Sequence, residues 1–278
     1  RPLRLAIVNL MPTKEVTETQ LIRMLANTPL QVELQLLTMD SHESKNTDKH
    51  HLDNFYKTFE EIKNQRYDGM IITGAPVEFL PFNEVDYWKE LTEIFEYTKS
   101  NVFSTLHICW GAQAALYYHY GIDKFIMPEK LFGVFKHKLM NKKSELTRGF
   151  DEEFYAPHSR HTQVRKEDIQ KVPELEILAE SEATGPHIID TRDKRMIFVQ
   201  GHMEYERDTL KLEYERDIKK GLRIDVPQDY FKDNDPTKRI VVKWSGHGNL
   251  FFANWLNYVY QETPFDLNKL DELNKKSD

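Results

Sequence analysis

The amino-acid sequence predicts an α/β fold of three layers, a mostly parallel, doubly wound sheet with helices on both faces. Short β-branched apolar runs alternate with amphipathic stretches up to about residue 120, the order that makes parallel strands and crossover helices. The first of these runs is continuously apolar rather than alternating, as strands covered on both faces are. The length, 278 residues with 40% hydrophobic content, is ample for a large core.

Each element has its own signal. "LRLAIVNL" (3–10) is β-branched and apolar up to "MP" and reads as a buried strand. "KEVTETQLIRMLANT" (14–28) sets Val16, Leu21, Met24 and Leu25 on one stripe, a helix. "QVELQLLTM" (31–39) alternates and is a second strand. Residues 40–53 are polar and form a loop long enough to be functional. "NFYKTFEEIKNQ" (54–65) reads as a helix, and "GMIITGAP" (69–76) as a strand closed by a Gly-Ala-Pro turn. "DYWKELTEIFEYTKS" (86–100) is a helix, "VFSTLHIC" (102–109) a strand and "GAQAALYYHY" (111–120) a helix. Beyond it, strands at 133–140, 174–181, 186–193 and 195–202 follow without long helices between them. Helices at 207–221 and 249–262 close the chain. With no internal repeat, low-complexity tract or Gly/Ser linker, residues 1–278 read as one domain with a strand-helix core and a more β-rich second half.

Charge and cysteine content narrow the class. Net charge is -7, and the short basic clusters "NKK" and "KKG" are flanked by acids, so nucleic acid is not an expected partner. No run approaches the roughly 20 apolar residues of a membrane helix, and no signal peptide is visible. A single cysteine, Cys109, allows no disulfide within the chain, which points to a reducing, cytoplasmic setting.

Cys109 ends a strand, and a helix starts within two residues. A side chain on such a turn projects at the carboxyl edge of the sheet, where open α/β sheets bind ligands. The helix N-terminus behind it favours a thiolate and an oxyanion. A free cysteine is more often a small buried hydrophobe, and that reading stands beside the catalytic one. "VQGHMEYE" then offers His202 and Glu204 at the end of another strand. In extended backbone, positions i and i+2 share a face, which suits a base for a thiol and a carboxylate orienting it. The plainer reading, a surface His and a surface Glu in a loop, remains open on spacing alone. "HSRH" (158–161) holds two histidines without a third clustered ligand, so no metal site is expected.

"CWGAQ" (109–113) with "HME" (202–204) resembles the nucleophile elbow and His-x-Glu of class I glutamine amidotransferases, with His107 in place of a glycine and Met203 in place of a proline. A closer resemblance covers nearly the whole chain, to the homoserine O-acyltransferase family of methionine biosynthesis. It is carried by "NLMPTK" (9–14), "NTPLQVELQLL" (27–37), "YDGMIITGAP" (67–76), "EVDYWKEL" (84–91), "APHSRHT" (156–162), "LEILAES" (175–181), "DYF" (229–231) and "SGHGNLFFANWLNYVYQETPFDL" (245–267). That family tolerates a residue other than glycine at 107.

The resemblance implies a class I glutamine amidotransferase-like (flavodoxin-like) fold and an acyl transfer from acyl-CoA through a Cys109 thioester to the γ-hydroxyl of L-homoserine. It implies His202 as base and Glu204 as its orienting carboxylate. The oxyanion would be met by the backbone N–H of Trp110 and one near Leu10 and Met11. Lys130, Ser159 and Arg216 match substrate-binding positions. Glu78 matches the position that sorts acyl donors: members with Glu there tend to use acetyl-CoA and those with Gly succinyl-CoA. The expectation is therefore a homoserine O-acetyltransferase with acetyl-CoA as co-substrate, no permanently bound cofactor and a homodimeric state. A succinyl-CoA-dependent transferase and a glutaminase subunit are the alternatives.

Overall fold

In the computed structural model, which describes residues 1–42 and 47–274, the apolar runs form the centre of one sheet. The strands are β1 (Leu3–Val8), β2 (Val32–Leu37), β3 (Tyr56–Lys57), β4 (Tyr67–Ile72), β5 (Val102–Ile108), β6 (Lys124–Leu139), β7 (Glu153–Val164), β8 (Leu175–Ser181), β9 (Gly185–Thr191) and β10 (Met196–Val199). The helices are α1 (Lys14–Ala26), α2 (Lys49–Phe55), α3 (Phe59–Ile62), α4 (Trp88–Asn101), α5 (Trp110–Tyr120), α6 (Lys166–Gln170), α7 (Thr209–Lys219), α8 (Ser245–Glu262) and α9 (Leu270–Asn274).

Among the described residues the sheet has ten strands in the order β3-β2-β1-β4-β5-β10-β9-β8-β6-β7. From β3 to β10 the neighbours pair in parallel, and from β10 to β7 they pair antiparallel. β10 is thus a parallel neighbour of β5, and the carboxyl ends of β1, β4, β5 and β10 share one edge.

Successive side chains of a strand face opposite ways, so each central strand feeds two cores. Ala6, Val8, Met70 and Ile72 join α4 and α5 in one cluster. Leu5, Ile7, Ile71 and Leu106 join Leu21, Met24 and Leu25 of α1 and Phe251, Trp255 and Val259 of α8 in the other. These are the three layers. Burying one such Leu, Ile or Phe contributes about 1.5–3 kcal/mol. Trp255 is fully buried, and its indole N–H donates to Ser104 Oγ at 3.1 Å, so this large ring leaves no polar atom orphaned.

Three expectations change. The helix expected at 54–65 is broken: α2 runs to Phe55, Tyr56–Lys57 adds to the edge of β2, and α3 restarts behind a Thr58/Glu61 capping box. The loop expected at 40–53 is shortened by α2, and its residues 43–46 lie outside the described residues. β7 carries "EFYAPHSRHTQV" and was not expected as a strand; it pairs along nearly its whole length with β6.

Candidate active site

β5 ends at Ile108, and α5 begins at Trp110. Cys109 alone makes the turn, with φ 52° and ψ −117°. That conformation crowds the Cβ of an L-residue and costs about 1–3 kcal/mol. It is held by the Cys109 N–H donating to Val199 O at 2.7 Å and by Cys109 O accepting from Gln113 N–H at 3.1 Å. Gly111 lets α5 approach the end of β4, since a Cβ there would lie 2.5 Å from Thr73 O. The Cys109 side chain is buried and faces Gly74, where an added Cβ would lie 3.3 Å from Cys109 Cβ and 3.8 Å from His202 Cε1.

His202 arrives from the end of β10. The pair with Glu204 is not in extended backbone as the i, i+2 spacing suggested. β10 stops at Val199, and a turn closed by Tyr205 N–H to His202 O (3.3 Å) folds the carboxylate back onto the ring. Glu204 Oε1 lies 2.7 Å from His202 Nδ1, and both side chains are buried. A carboxylate at Nδ1 places the proton there and leaves Nε2 as the acceptor. Burial opposes the imidazolium, but the Glu204 and Cys109 charges and their hydrogen bonds outweigh it, so the His202 pKa stands well above its usual value. Tyr205 stacks on the imidazole at 4.2 Å between centroids.

Behind the pair is a cluster that sequence spacing did not show. His137, His158 and His187 are fully buried, with ring nitrogens within 4.8 Å of one another. The "HSRH" histidine therefore does acquire clustered partners, from β6 and β9. Their hydrogen bonds run opposite to a metal site. His158 Nδ1 accepts from Arg160 Nε at 3.3 Å, and His187 Nδ1 accepts from the Gly201 N–H at 3.3 Å. Both rings then carry their proton on the inner nitrogen, whereas a ligating imidazole needs that nitrogen bare and its outer N–H donating. The Arg160 cation beside His158 adds repulsion to any metal. The trio forms instead a wall against Gly201, where a Cβ would meet His158 Nε2 and Pro157 O at 2.8 Å each. The His202 N–H donates to that same Pro157 O at 2.8 Å.

The other expected residues fall in two groups. Glu78, beyond β4, accepts from the His161 N–H at 2.9 Å and the Thr162 hydroxyl at 3.0 Å. In the second group α7 carries Glu213, Arg216 and Asp217 at spacings that share a face. Ser159 Oγ donates to Glu213 Oε2 at 2.5 Å and Tyr205 OH to Glu213 Oε1 at 2.9 Å. Arg216 Nε donates to Asp217 at 2.7 Å, and Lys130 Nζ lies 3.7 Å from the same carboxylate. Lys130 sits where the β6–β7 register slips between Ile126 and Leu131, a bulge that re-aims side chains. A groove of about 860 Å³ is lined by Lys130, His161, Asp217 and Phe79. Glu213 carried no motif that could have singled it out.

The "NLMP" backbone differs from expectation. The Met11 N–H is donated to Asn9 Oδ1 at 3.2 Å and the Leu10 N–H to Thr73 Oγ1 at 2.8 Å. Both donors are already used, Met11's because Asn9 folds back over its own turn and Leu10's because Thr73 reaches it from the end of β4. The turn at Gly74 approaches Cys109 in their place. Trp110 matches its expected position at the first turn of α5, whose N–H groups have no carbonyl one turn earlier. Lys14, next to "NLMP", is buried, and its ammonium donates to Asn9 O and Met11 O. Burial lowers its pKa to about 8, against the opposing pull of Glu18. His107 is buried, stacks on Phe198 at 5.0 Å and donates from Nδ1 to Ile197 O at 2.9 Å; burial lowers its pKa to about 3.

Comparison with known proteins places this arrangement. The model of the homoserine O-succinyltransferase family matches residues 1–265. The homoserine O-acetyltransferase of Acetivibrio thermocellus is 61% identical over 271 residues, 97% of this chain and 89% of that protein. The homoserine O-acetyltransferase of Brevibacillus brevis is 62% identical over 269 residues, 96% of this chain and 88% of that protein. Among solved structures, a glutamine amidotransferase from Thermotoga maritima aligns with a TM-score of 0.59 at 11% identity, covering 93% of this chain and 99% of that one. A glutamine amido transferase from Methylobacillus flagellatus aligns with a TM-score of 0.56 at 11% identity, covering 95% and 98%. At that identity the likeness is one of fold.

Proposed function

Because the chain belongs to the homoserine O-succinyltransferase family, we propose that it is a homoserine O-acetyltransferase working through an acetyl-Cys109 thioester. The observation that carries this reading is the strained Cys109 turn facing an imidazole held by a buried carboxylate.

Cys109 Sγ attacks the acetyl carbonyl of acetyl-CoA as His202 Nε2 takes the thiol proton. The tetrahedral oxyanion is met by the Trp110 N–H and the backbone of the Gly74 turn. Its collapse breaks the C–S bond to CoA, and His202 returns the proton to the leaving sulfur. The homoserine γ-hydroxyl then attacks the acetyl-Cys109, again giving its proton to His202, and the second collapse restores the thiol. Two moderate barriers replace one direct transfer. Glu204 holds the ring in the working tautomer and stabilises the imidazolium. Arg216, whose Nε is fixed by Asp217, offers its terminal nitrogens to the amino-acid carboxylate with Lys130 beside it. Glu213, fixed by Ser159 and Tyr205, supplies the charge an ammonium needs.

The name of the family favours succinyl transfer, and Glu78 opposes it: its carboxylate fills space and repels a second carboxylate. Intact mass after mixing with each acyl-CoA decides. An acetyl adduct that disappears in Cys109→Ala is expected. A succinyl adduct, or an acetyl adduct retained by Cys109→Ala, overturns the assignment. Ammonia release from glutamine without acyl-CoA would point to a glutaminase.

A further inference from the structure

We propose that the groove beside Lys130 is where the coenzyme A part of the acyl donor lies, its apolar lining holding the pantetheine arm and Lys220 and Arg223 meeting the phosphates at its exposed rim. The inference rests on the acyl-transfer reading above.

The groove has a structural origin. β6 leaves its ladder with β7 between Ile126 and Leu131, whose partners Thr162 and Arg160 are only two residues apart. The surplus residues of β6 have no place in the ladder, and Pro128, Glu129 and Lys130 line the groove. Residues 222–226 line it too, between the end of α7 and Gln228. That segment is pinned to β6: the Gln228 N–H donates to Phe132 O at 2.9 Å, and Gln228 O accepts from the Val134 N–H at 2.8 Å. Gly133 makes this approach possible, since a Cβ there would lie 2.4 Å from Gln228 N. The volume of about 860 Å³ falls within the range of about 300–1,000 Å³ in which small-molecule ligands are enclosed.

The lining suits a long, mostly apolar arm that ends in phosphates. Phe79 and Leu222 are 62% and 56% exposed, and both face this groove with Phe132, Phe135 and Val226. An arm of methyl, methylene and amide groups would cover them. Lys220 and Arg223 are exposed, and among the described residues their side chains make no ion pair or hydrogen bond. Arg223 lines the groove, and the Lys220 charge acts on Asp217, which also lines it. In a chain of net charge -7, two unpaired cations on one rim attract a diphosphate and a 3′-phosphate.

The other end of the groove adjoins the catalytic groups. His161 lines it, packs on Phe79 at 4.9 Å between centroids and gives its N–H to Glu78 at 2.9 Å. Two residues back, on the same face of β7, Ser159 donates to Glu213, which also holds Tyr205, and the Tyr205 ring stacks on His202. Phosphates at the rim and a thioester at this end follow the order of groups along coenzyme A. Lys130 and Asp217 belong to the amino-acid site as well. In a transfer through acetyl-Cys109 the free coenzyme leaves before the second substrate reacts, so one entrance serves both.

The test measures kcat/KM in the full chain for acetyl-CoA and for S-acetylpantetheine, which lacks every phosphate, and takes their ratio within each variant so that any loss of folded enzyme cancels. The unaltered protein should prefer acetyl-CoA. Combining Lys220→Glu with Arg223→Glu should lower the ratio about tenfold, and combining Lys220→Arg with Arg223→Lys should keep it. Phe79→Ala should lower kcat/KM for S-acetylpantetheine about tenfold relative to S-acetyl-N-acetylcysteamine, which lacks most of the arm. Equal use of acetyl-CoA and S-acetylpantetheine by the unaltered protein overturns the proposal, as does an unchanged ratio in the double charge reversal or in Phe79→Ala. Absence of acetyl transfer from acetyl-CoA in the unaltered protein overturns the acyl-transfer reading itself.

Discussion

The Cys109 turn makes a prediction that separates backbone strain from catalysis. In ordinary backbone, Cys→Ala leaves a protein more stable than Cys→Gly. Glycine carries about 0.4–1 kcal/mol of extra unfolded-state entropy, and the lost methyl group forfeits about 0.8 kcal/mol of burial. Alanine should therefore lead by about 1–2 kcal/mol. At φ 52° and ψ −117° the retained Cβ instead carries strain of up to about 3 kcal/mol, which glycine releases. At that full strain, Cys109→Gly should end about 1 kcal/mol or more above Cys109→Ala in stability. Neither variant can form a thioester, so activity does not enter. Equilibrium urea unfolding with matched slopes resolves a difference of that size. A lead of about 1 kcal/mol or more for Cys109→Ala would show that the turn is relaxed, and the strained nucleophile would have to be given up.

Three further outcomes are expected. Glu204→Gln can still accept from His202 Nδ1 but loses the charge opposing the imidazolium; kcat/KM should fall by about 10²–10³, and a drop under tenfold would remove Glu204 from the machinery. Arg216→Lys cannot reproduce the planar fork, so the homoserine KM should rise about tenfold with a smaller change in kcat; an unchanged KM would place Arg216 outside the site. Asp190, 2% exposed on β9 opposite Glu176, has its pKa pushed up to about 7, first by burial and then by Glu176. A carboxyl with a raised folded pKa stabilises fully below its unfolded value near 3.8 and loses that stability as pH rises to about 7. The loss is about 4 kcal/mol once the group is charged. Asp190→Asn should match the unaltered protein near pH 4 and exceed it at pH 8; equal urea midpoints at both pH values would refute the burial account.

The parallel half of the sheet was legible because its strands are buried on both faces. Apolar side chains dominate β1, β4 and β5, with Asp68, Ser104, Thr105 and His107 as buried polar exceptions, and α4 between them shows a single apolar stripe. β7 escaped notice for the opposite reason. Pro157, His158, Ser159, Arg160, His161 and Thr162 carry neither alternation nor an apolar run. They are compatible with a buried strand only because Thr184, Gln113, Glu78 and Glu213 supply partners from elsewhere in the chain. The break in the expected helix at 54–65 has a similar cause. Tyr56 gains more from pairing with β2 and from its hydrogen bond to Glu18 than from continuing a helical turn.

The sequence by itself determined the fold class, the elbow at Cys109 and the two residues that complete the candidate triad. Each of these depends on local periodicity or on a motif within a few residues. Tertiary structure alone decided how those residues meet. It replaced an extended His-x-Glu by a turn, used up the Met11 N–H on Asn9, gathered His137 and His187 behind Gly201, and set the His161 N–H and the Thr162 hydroxyl on Glu78. The physical reason is that a buried polar group is tolerated only where its partners are brought to it; those of β7 lie far away along the chain, and those two residues away meet only where the backbone turns.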